Sequence, residues 1–481
     1  MFFRIIPFLL IASRIFAQSI SPVGPVPTPQ QLAWHRMQYY AFVHFNMNTF
    51  TDKEWGEGQE KPEAFNPTAL DCRQWARICR DAGMKGIILT AKHHDGFCLW
   101  PTAHSEHSVK NSPWREGKGD VLRELSAACK EYGLKFGVYL SPWDRNHPAY
   151  GTPEYNEVFK NTLTEVLTRY GPVFEVWFDG ANGEGPNGKK QVYDFPAFIG
   201  VVRKHQPKAV IFSDAGPDVR WVGNERGYAY ETNWALLDRE KTFPGDPNYP
   251  KMAAGSEDGT HWVPAEVDVS IRPGWYYHAA EDDRVKSPDS LMRIWHASVG
   301  RGGNLLLNIP VDRRGLIHPA DSASLIGFKK LRDAAFAKNL AYRQTAKATT
   351  TRPGTQVKNL LDNDPDTHWG SLPGVRTASI EIELGDDFQE FSTVELRESI
   401  EFGQRVRAFN VEIFDSEKDR FVEIVRGTTI GAQRLLSFPK QRAYLVRVNI
   451  QSAKDRPRWA FTEWGSYSFG INFLYTSAGK C

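Results

Sequence analysis

The chain has 481 residues, enough for two or three domains. Hydrophobic residues at 41% and charged residues at 24% describe an ordinary globular protein, and 59 Lys plus Arg against 57 Asp plus Glu leave almost no net charge. That balance argues against nucleic acid or an anionic membrane as a partner, and no run after the N-terminus is long and apolar enough to span a bilayer.

Residues 1–17, MFFRIIPFLLIASRIFA, read as a secretory signal peptide. Arg4 precedes an apolar run from Ile5 to Ala12, and Ala17 stands before Gln18 at the expected cleavage point. Arg14 and Ile15 depart from the ideal pattern. The implied destination is secreted or periplasmic, and removal of the leader leaves equal numbers of basic and acidic residues. Oligomeric state is not encoded in any feature of the sequence.

Within a predicted catalytic domain of residues 18–340, the pattern from about residue 35 is strand, loop, helix, repeated. The predicted strands are YYAFVHF, GMKGIILTAKHH, LKFGVYLSPWD, VFEVWFDG, KAVIFSDAG and GNLLLNIP. Amphipathic helices lie between them: DCRQWARICRDAG, VLRELSAACKEYG and EYNEVFKNTLTEVLTRYG, each ending near a Gly. Such alternation builds a parallel sheet with helical crossovers. The predicted fold class is α/β, a (β/α)8-like barrel with two weaker strands hidden in 225–275. A doubly wound open sheet is the alternative, weakened because no glycine-rich turn follows the first strand.

The chain holds five Cys. Cys72 and Cys79 fall on one helix about 10 Å apart, too far for a disulfide. Most of the five read as buried thiols, and no Cys or His spacing points to zinc. From 341 to 481 the texture changes to short alternating runs: ASIEIEL, STVELRES, FNVEIFD, FVEIVRG and YLVRVNI. These predict an antiparallel all-β sandwich.

In a parallel barrel the catalytic groups sit at the C-terminal ends of the strands. There the sequence places His44, then His93 and His94, then Tyr139 with Trp143 and Asp144, then Asp179 and Asp214; a later segment adds Arg272 and Trp275. Asp before Gly is ordinary turn chemistry, and a single His at a strand end is ordinarily a hydrogen-bonding residue. Five successive strands delivering polar groups to one rim are harder to dismiss. Three uses compete. Metal-assisted hydrolysis is disfavoured because adjacent residues on a strand, such as His93 and His94, point to opposite sides. Glycoside hydrolysis by two carboxylates suits Asp179 as nucleophile, with Glu225, Glu231, Glu257 or Glu266 as acid/base. A non-catalytic glycan-binding barrel is the third.

The motifs HFNMNTFTDKEWGEG, LTAKHHDGFCLWPT, YLSPWDRN, VWFDGA, FSDAGPDVRWVGNE and PAEVDVSIRPGWYYH together resemble glycoside hydrolase family 29, the retaining α-L-fucosidases. They are most similar to the branch acting on α-1,3/1,4-linked fucose of Lewis-type glycans. The resemblance implies Asp179 as nucleophile and Glu225 as acid/base, with Glu266 as fallback. It also implies a fucose site formed by His44, Glu54, Trp55, His93, His94, Tyr139 and Trp275. Fucosylated oligosaccharides are the implied partners, and no cofactor or metal enters the chemistry. NLLDNDPDTHW resembles the opening of discoidin-type (factor 5/8 type C) modules, with Asn363 where Gly is usual. Such modules often bind sugars and sometimes hold a Ca2+.

Overall fold

The computed structural model describes residues 22–454 and the short strand Asn472–Phe473. The signal-peptide reading and Cys481 lie outside the described residues. Eight parallel strands close a barrel in sequence order: β1 Tyr39–Val43, β2 Gly86–Lys92, β3 Lys135–Leu140, β4 Glu175–Trp177, β5 Val210–Ser213, β6 Val219–Trp221, β7 Ala265–Ser270 and β8 Asn304–Asn308. β8 pairs with β1, Tyr39 opposite Leu305, which completes the circle.

The helices follow from their caps and apolar faces. Asp71 accepts from the N–H groups of Arg73 and Gln74 and starts Cys72–Asp81, whose Cys72, Trp75, Ile78 and Cys79 are buried on one face. Asp120 caps Val121–Tyr132, and Gly133 ends it at φ +70°, a conformation that favours glycine. Cys72, Cys79, Cys98 and Cys129 are buried free thiols.

One of the two weak strands, β7, lies in the 225–275 window; the other, β6, lies before it at 219–221. It carries no sequence signal, being three residues long with no helix between it and β5. The connection is only 214–218 and contains the cis Gly216–Pro217 bond.

Side chains alternate along each barrel strand. Tyr39, Ala41 and Val43 pack outward against the helices, whereas Tyr40 and Phe42 fill the interior with Ile88, Tyr139, Trp177, Phe212 and Leu306. Trp177 stacks on Phe212 with ring centroids 3.9 Å apart. Trp34, from helix Pro29–His35, plugs the opposite end and donates its indole N–H to Tyr40 at 2.8 Å. The interior is therefore packed, and the open mouth is the strands' C-terminal end.

Lys92 is an exception to alternation. The β2–β3 register shifts between Thr90 and Lys92, a bulge that turns Lys92 away from the barrel interior. Its ammonium, 3% exposed as a residue, meets Asp144 at 3.1 Å and the carbonyls of Ser141 and Trp143 at 2.8 and 3.2 Å. Lys92→Met leaves Asp144 buried without its counter-charge, with an expected loss of about 3–5 kcal/mol in unfolding free energy by urea denaturation. A loss below about 1 kcal/mol, the range of an exposed pair, would show that this ion pair does not secure the 141–146 loop.

After helix Pro319–Ala335 come seven antiparallel strands: β9 Ala346–Ala348, β10 Ala378–Glu383, β11 Gln389–Arg397, β12 Val406–Asp415, β13 Arg420–Gly427, β14 Arg434–Ala443 and β15 Leu445–Ala453. They form a five-stranded sheet ordered β9-β10-β15-β12-β13 and a second sheet pairing β14, β11 and Asn472–Phe473. Ile380, Phe409, Val411 and Val448 from one sheet meet Phe391, Val394 and Leu436 from the other in a shared core. Asn363 has φ +61°, the left-handed region where Gly is favoured and Asn tolerated. β14 touches the barrel directly, the Leu435 N–H donating to Gly300 O at 2.8 Å.

Candidate active site

A cavity of about 460 Å3 opens at the C-terminal mouth of the barrel. All nine residues that the resemblance implies for catalysis and fucose binding line it: His44, Glu54, Trp55, His93, His94, Tyr139, Asp179, Glu225 and Trp275. Alternation explains much of this. Tyr40, Phe42 and His44 share the inward parity of β1, as do Glu175, Trp177 and Asp179 of β4. His93 and His94 both reach the cavity because β2 ends at Lys92 after its bulge, so strand alternation does not separate them. Their ring centroids are 4.1 Å apart.

Asp179 is held by two hydrogen bonds, with His94 beside it. The Tyr139 hydroxyl donates to its Oδ2 at 2.9 Å, the Ala181 N–H donates to its Oδ1 at 2.8 Å, and His94 Nε2 lies 3.8 Å from Oδ2. Glu225 accepts from the Trp275 indole N–H at 3.1 Å. Burial raises its pKa, the indole N–H opposes the shift, and the charges of Asp179 and Glu54 push it higher.

The histidines are neutral. Burial pushes His44 down to about 3 and His94 to about 4, and His93 well below its ordinary value. Asn308 donates through Nδ2 to Ser270 Oγ and Trp275 O, at 2.9 and 2.8 Å. Its Oδ1 must therefore accept from His44 Nδ1, 2.7 Å away, which leaves the lone pair of His44 on Nε2. Glu54 accepts from the backbone N–H groups of Trp275 and Tyr276 at 2.8 and 3.1 Å, and its Oε1 is 2.7 Å from His278 Nε2. It ties the Trp275 loop to the loop carrying Trp55. Trp55 is 58% exposed, its ring edge-on to His94 and Trp143.

A family model described as alpha-L-fucosidase matches residues 23–330. Alpha-L-fucosidase 1 of Arabidopsis thaliana is 44% identical over 423 residues, covering 87% of this chain and 82% of the relative. This chain belongs to the α-L-fucosidase family. Its fold is shared with a glycoside hydrolase family 29 protein from an unknown rumen bacterium, at TM-score 0.82 and 42% identity over 96% of this chain and 79% of that one. A Ruminococcus gnavus family 29 fucosidase in complex with fucose superposes at TM-score 0.86 with 30% identity, over 96% and 97% of the two chains.

Of the four Glu residues weighed as partner to Asp179, Glu225 alone lines the cavity of this fucosidase among the described residues. Glu231 faces Arg301, and Glu257 pairs with Arg407. Glu266 is fully buried, one inward step below Asp268, and accepts from the Tyr40 hydroxyl and from the Trp177 indole N–H at 2.7 Å. Arg272 is also buried, bound to Asp321 and Asp282. Glu266 and its neighbour Glu175, whose carboxyl burial and Glu266 push well upward, make a polar floor beneath the cavity.

Asp214, read from the end of its strand, also lines the cavity, whereas three further lining residues, Trp221, Tyr249 and Asp268, were not assigned to the site from sequence. Asp268 shares the inward parity of Glu266 in AEVDVS, a signal that was present, and it accepts from the Trp221 indole N–H at 2.9 Å. Burial, with Glu225 and Glu266 nearby, pushes its carboxyl well above the usual range. Asp214, raised to about 6 by burial and by Asp179, accepts from the Gly245 N–H at 2.6 Å and anchors the loop carrying Tyr249.

Proposed function

We propose that this α-L-fucosidase is a retaining exo-enzyme that removes terminal α-1,3/1,4-linked fucose from branched, Lewis-type glycans in a secreted or periplasmic setting. The observation that carries the mechanism is the pairing in one cavity of an oriented carboxylate, Asp179, with a second carboxyl, Glu225, whose proton affinity burial and then the charge of Asp179 raise. Asp179 attacks C1 from one face while protonated Glu225 donates to the departing oxygen. A fucosyl ester forms on Asp179 and the glycosidic C–O bond breaks. Glu225 has by then given its proton to the leaving oxygen; esterification removes the Asp179 charge and lowers the Glu225 pKa, so Glu225 stays a carboxylate and acts as base toward water.

The lining suits the sugar. Neutral His44, His93 and His94 offer ring donors and acceptors to three hydroxyls without a competing charge. Phe42 and Trp275, ring centroids 6.3 Å apart, form an apolar corner for the C5 methyl group. Trp55 and Tyr249, 58% and 50% exposed, line the cavity on its solvent side, where a branched aglycone would lie.

The test is release of free fucose from a Lewis-type trisaccharide, compared with a 1,2-linked isomer. Faster release from the trisaccharide is expected, and preference for the 1,2-linked sugar would overturn the linkage reading. A pH profile adds a second check. The active form of Glu225 is protonated, so its raised pKa extends activity upward in pH, and kcat/KM should fall on the alkaline side as Glu225 ionises. Glu225→Ala should abolish that alkaline limb; its survival unchanged would assign the limb to another group.

A further inference from the structure

Glu225 stands at the tip of a short turn closed by Asn224, which accepts from the Arg226 N–H at 3.0 Å and donates to Tyr228 O at 2.9 Å. One leg of that turn descends to β6. The other leg, 229–235, belongs to no barrel strand. The barrel grips it from one side: Arg220 donates to Asn233 Oδ1 and Trp234 O at 2.9 and 3.0 Å, and Arg301 to Ala229 O at 2.8 Å.

The C-terminal sandwich grips the opposite side. Gln404 donates to Asn233 O at 2.9 Å and accepts from the Ala235 N–H at 2.6 Å, so one side-chain amide pairs with the segment as a neighbouring strand would. Thr429 Oγ1 accepts from the Asn233 N–H at 2.9 Å, and Arg434 donates to Glu231 O at 2.7 Å. Gln404, Thr429 and Arg434 are 1%, 2% and 4% exposed, so water cannot replace these bonds. Glu398 fixes the two sandwich loops to each other, accepting from the Arg405 and Gly431 N–H groups, both at 2.7 Å.

We infer that the sandwich sets the position of the acid/base loop, with Gln404 and Thr429 as positioning residues that act through Asn233 on Glu225. This rests on the reading of Glu225 as the proton donor. The sandwich then contributes to the chemical step without touching sugar. Neither residue faces the cavity, so a change in either reaches the reaction only by moving the 224–235 loop.

The experiment compares two substrates in the full chain. A Lewis-type trisaccharide needs a proton on its leaving oxygen; α-L-fucosyl fluoride leaves as fluoride and needs none before the ester forms. Glu225→Ala should lose kcat/KM on the trisaccharide while keeping it on the fluoride. Gln404→Ala should do the same more mildly, with about a 100-fold loss on the trisaccharide, the scale of a misplacement of about 1 Å, and little change on the fluoride. Thr429→Val, close in shape to the original, guards against a Gln404→Ala chain that fails to fold and should show the same selective loss. A purely structural role would lower both substrates together through the fraction folded. Equal losses on both substrates in Gln404→Ala and Thr429→Val, or no loss on either, with Glu225→Ala still selective, would overturn the positioning role alone. Equal losses in Glu225→Ala would instead overturn the proton-donor reading, and the positioning role with it.

Discussion

Asp179→Ala is expected to lower kcat/KM on a Lewis-type trisaccharide by at least about 10⁴-fold, roughly 5.5 kcal/mol of transition-state stabilisation. The carboxylate sits at the end of β4 on the same inward face as Trp177, one residue pair above the packed floor. Its two hydrogen bonds, from Tyr139 and Ala181, fix the oxygens in place before substrate arrives. The side chain is 24% exposed, so its loss leaves room for water to satisfy Tyr139, and the melting temperature should change little. Azide added to this variant enters from the face the carboxylate occupied, and the expected product is β-L-fucosyl azide. Substantial residual turnover without azide would remove Asp179 from the nucleophile role.

Glu225→Ala should cost about 10²–10⁴-fold on the same trisaccharide, the usual worth of a general acid/base. Here azide attacks the fucosyl ester on Asp179 from the opposite face, and the product should be α-L-fucosyl azide. The two variants thus give azides of opposite configuration, a difference that loss of folding cannot mimic. If Glu266→Ala gave the α-azide and Glu225→Ala did not, the acid/base would be misassigned. The burial of Glu266 beneath the cavity, bound to Trp177 and Tyr40, makes a different result expected for it: a loss of stability.

Much of the architecture was legible because alternation carries it. FEVWFDG states both the strand and the face on which Asp179 emerges, and the periodic helices declare themselves through Asp71, Asp120 and Gly133. β6 was not legible as a strand. Three residues cannot show a period, and the short turn before it removes the helix that marks other crossovers. The position of Glu225 over the site was reached by motif resemblance, since its loop has no regular structure and spacing along it says nothing about direction. Asp268 carries the same inward signal as Glu266 in AEVDVS, two residues nearer the mouth, but only the cavity geometry separates their roles. The paired histidines depart from the alternation expected of a straight strand because of the bulge before Lys92.

The contact between sandwich and barrel had no sequence signal at all. Gln404, Thr429 and Arg434 lie about 170 to 205 residues from the segment they hold, and glutamine or threonine in a loop is unremarkable composition. Their significance comes from burial and from what they hold. A module attached for sugar binding would be expected to present its own loops to solvent; these loops are spent on the barrel.

Transfer of fucose to Asp179 carries the proposed mechanism. Incubation with 2-deoxy-2-fluoro-α-L-fucosyl fluoride, followed by peptide mass mapping, tests it most directly. The fluorine at C2 slows hydrolysis of the ester more than it prevents its formation in the presence of so good a leaving group. One fluorofucosyl group per chain, on the peptide that contains Asp179, is the expected result. A label on any other residue, or no label while the enzyme turns over the natural trisaccharide with inversion, would contradict it.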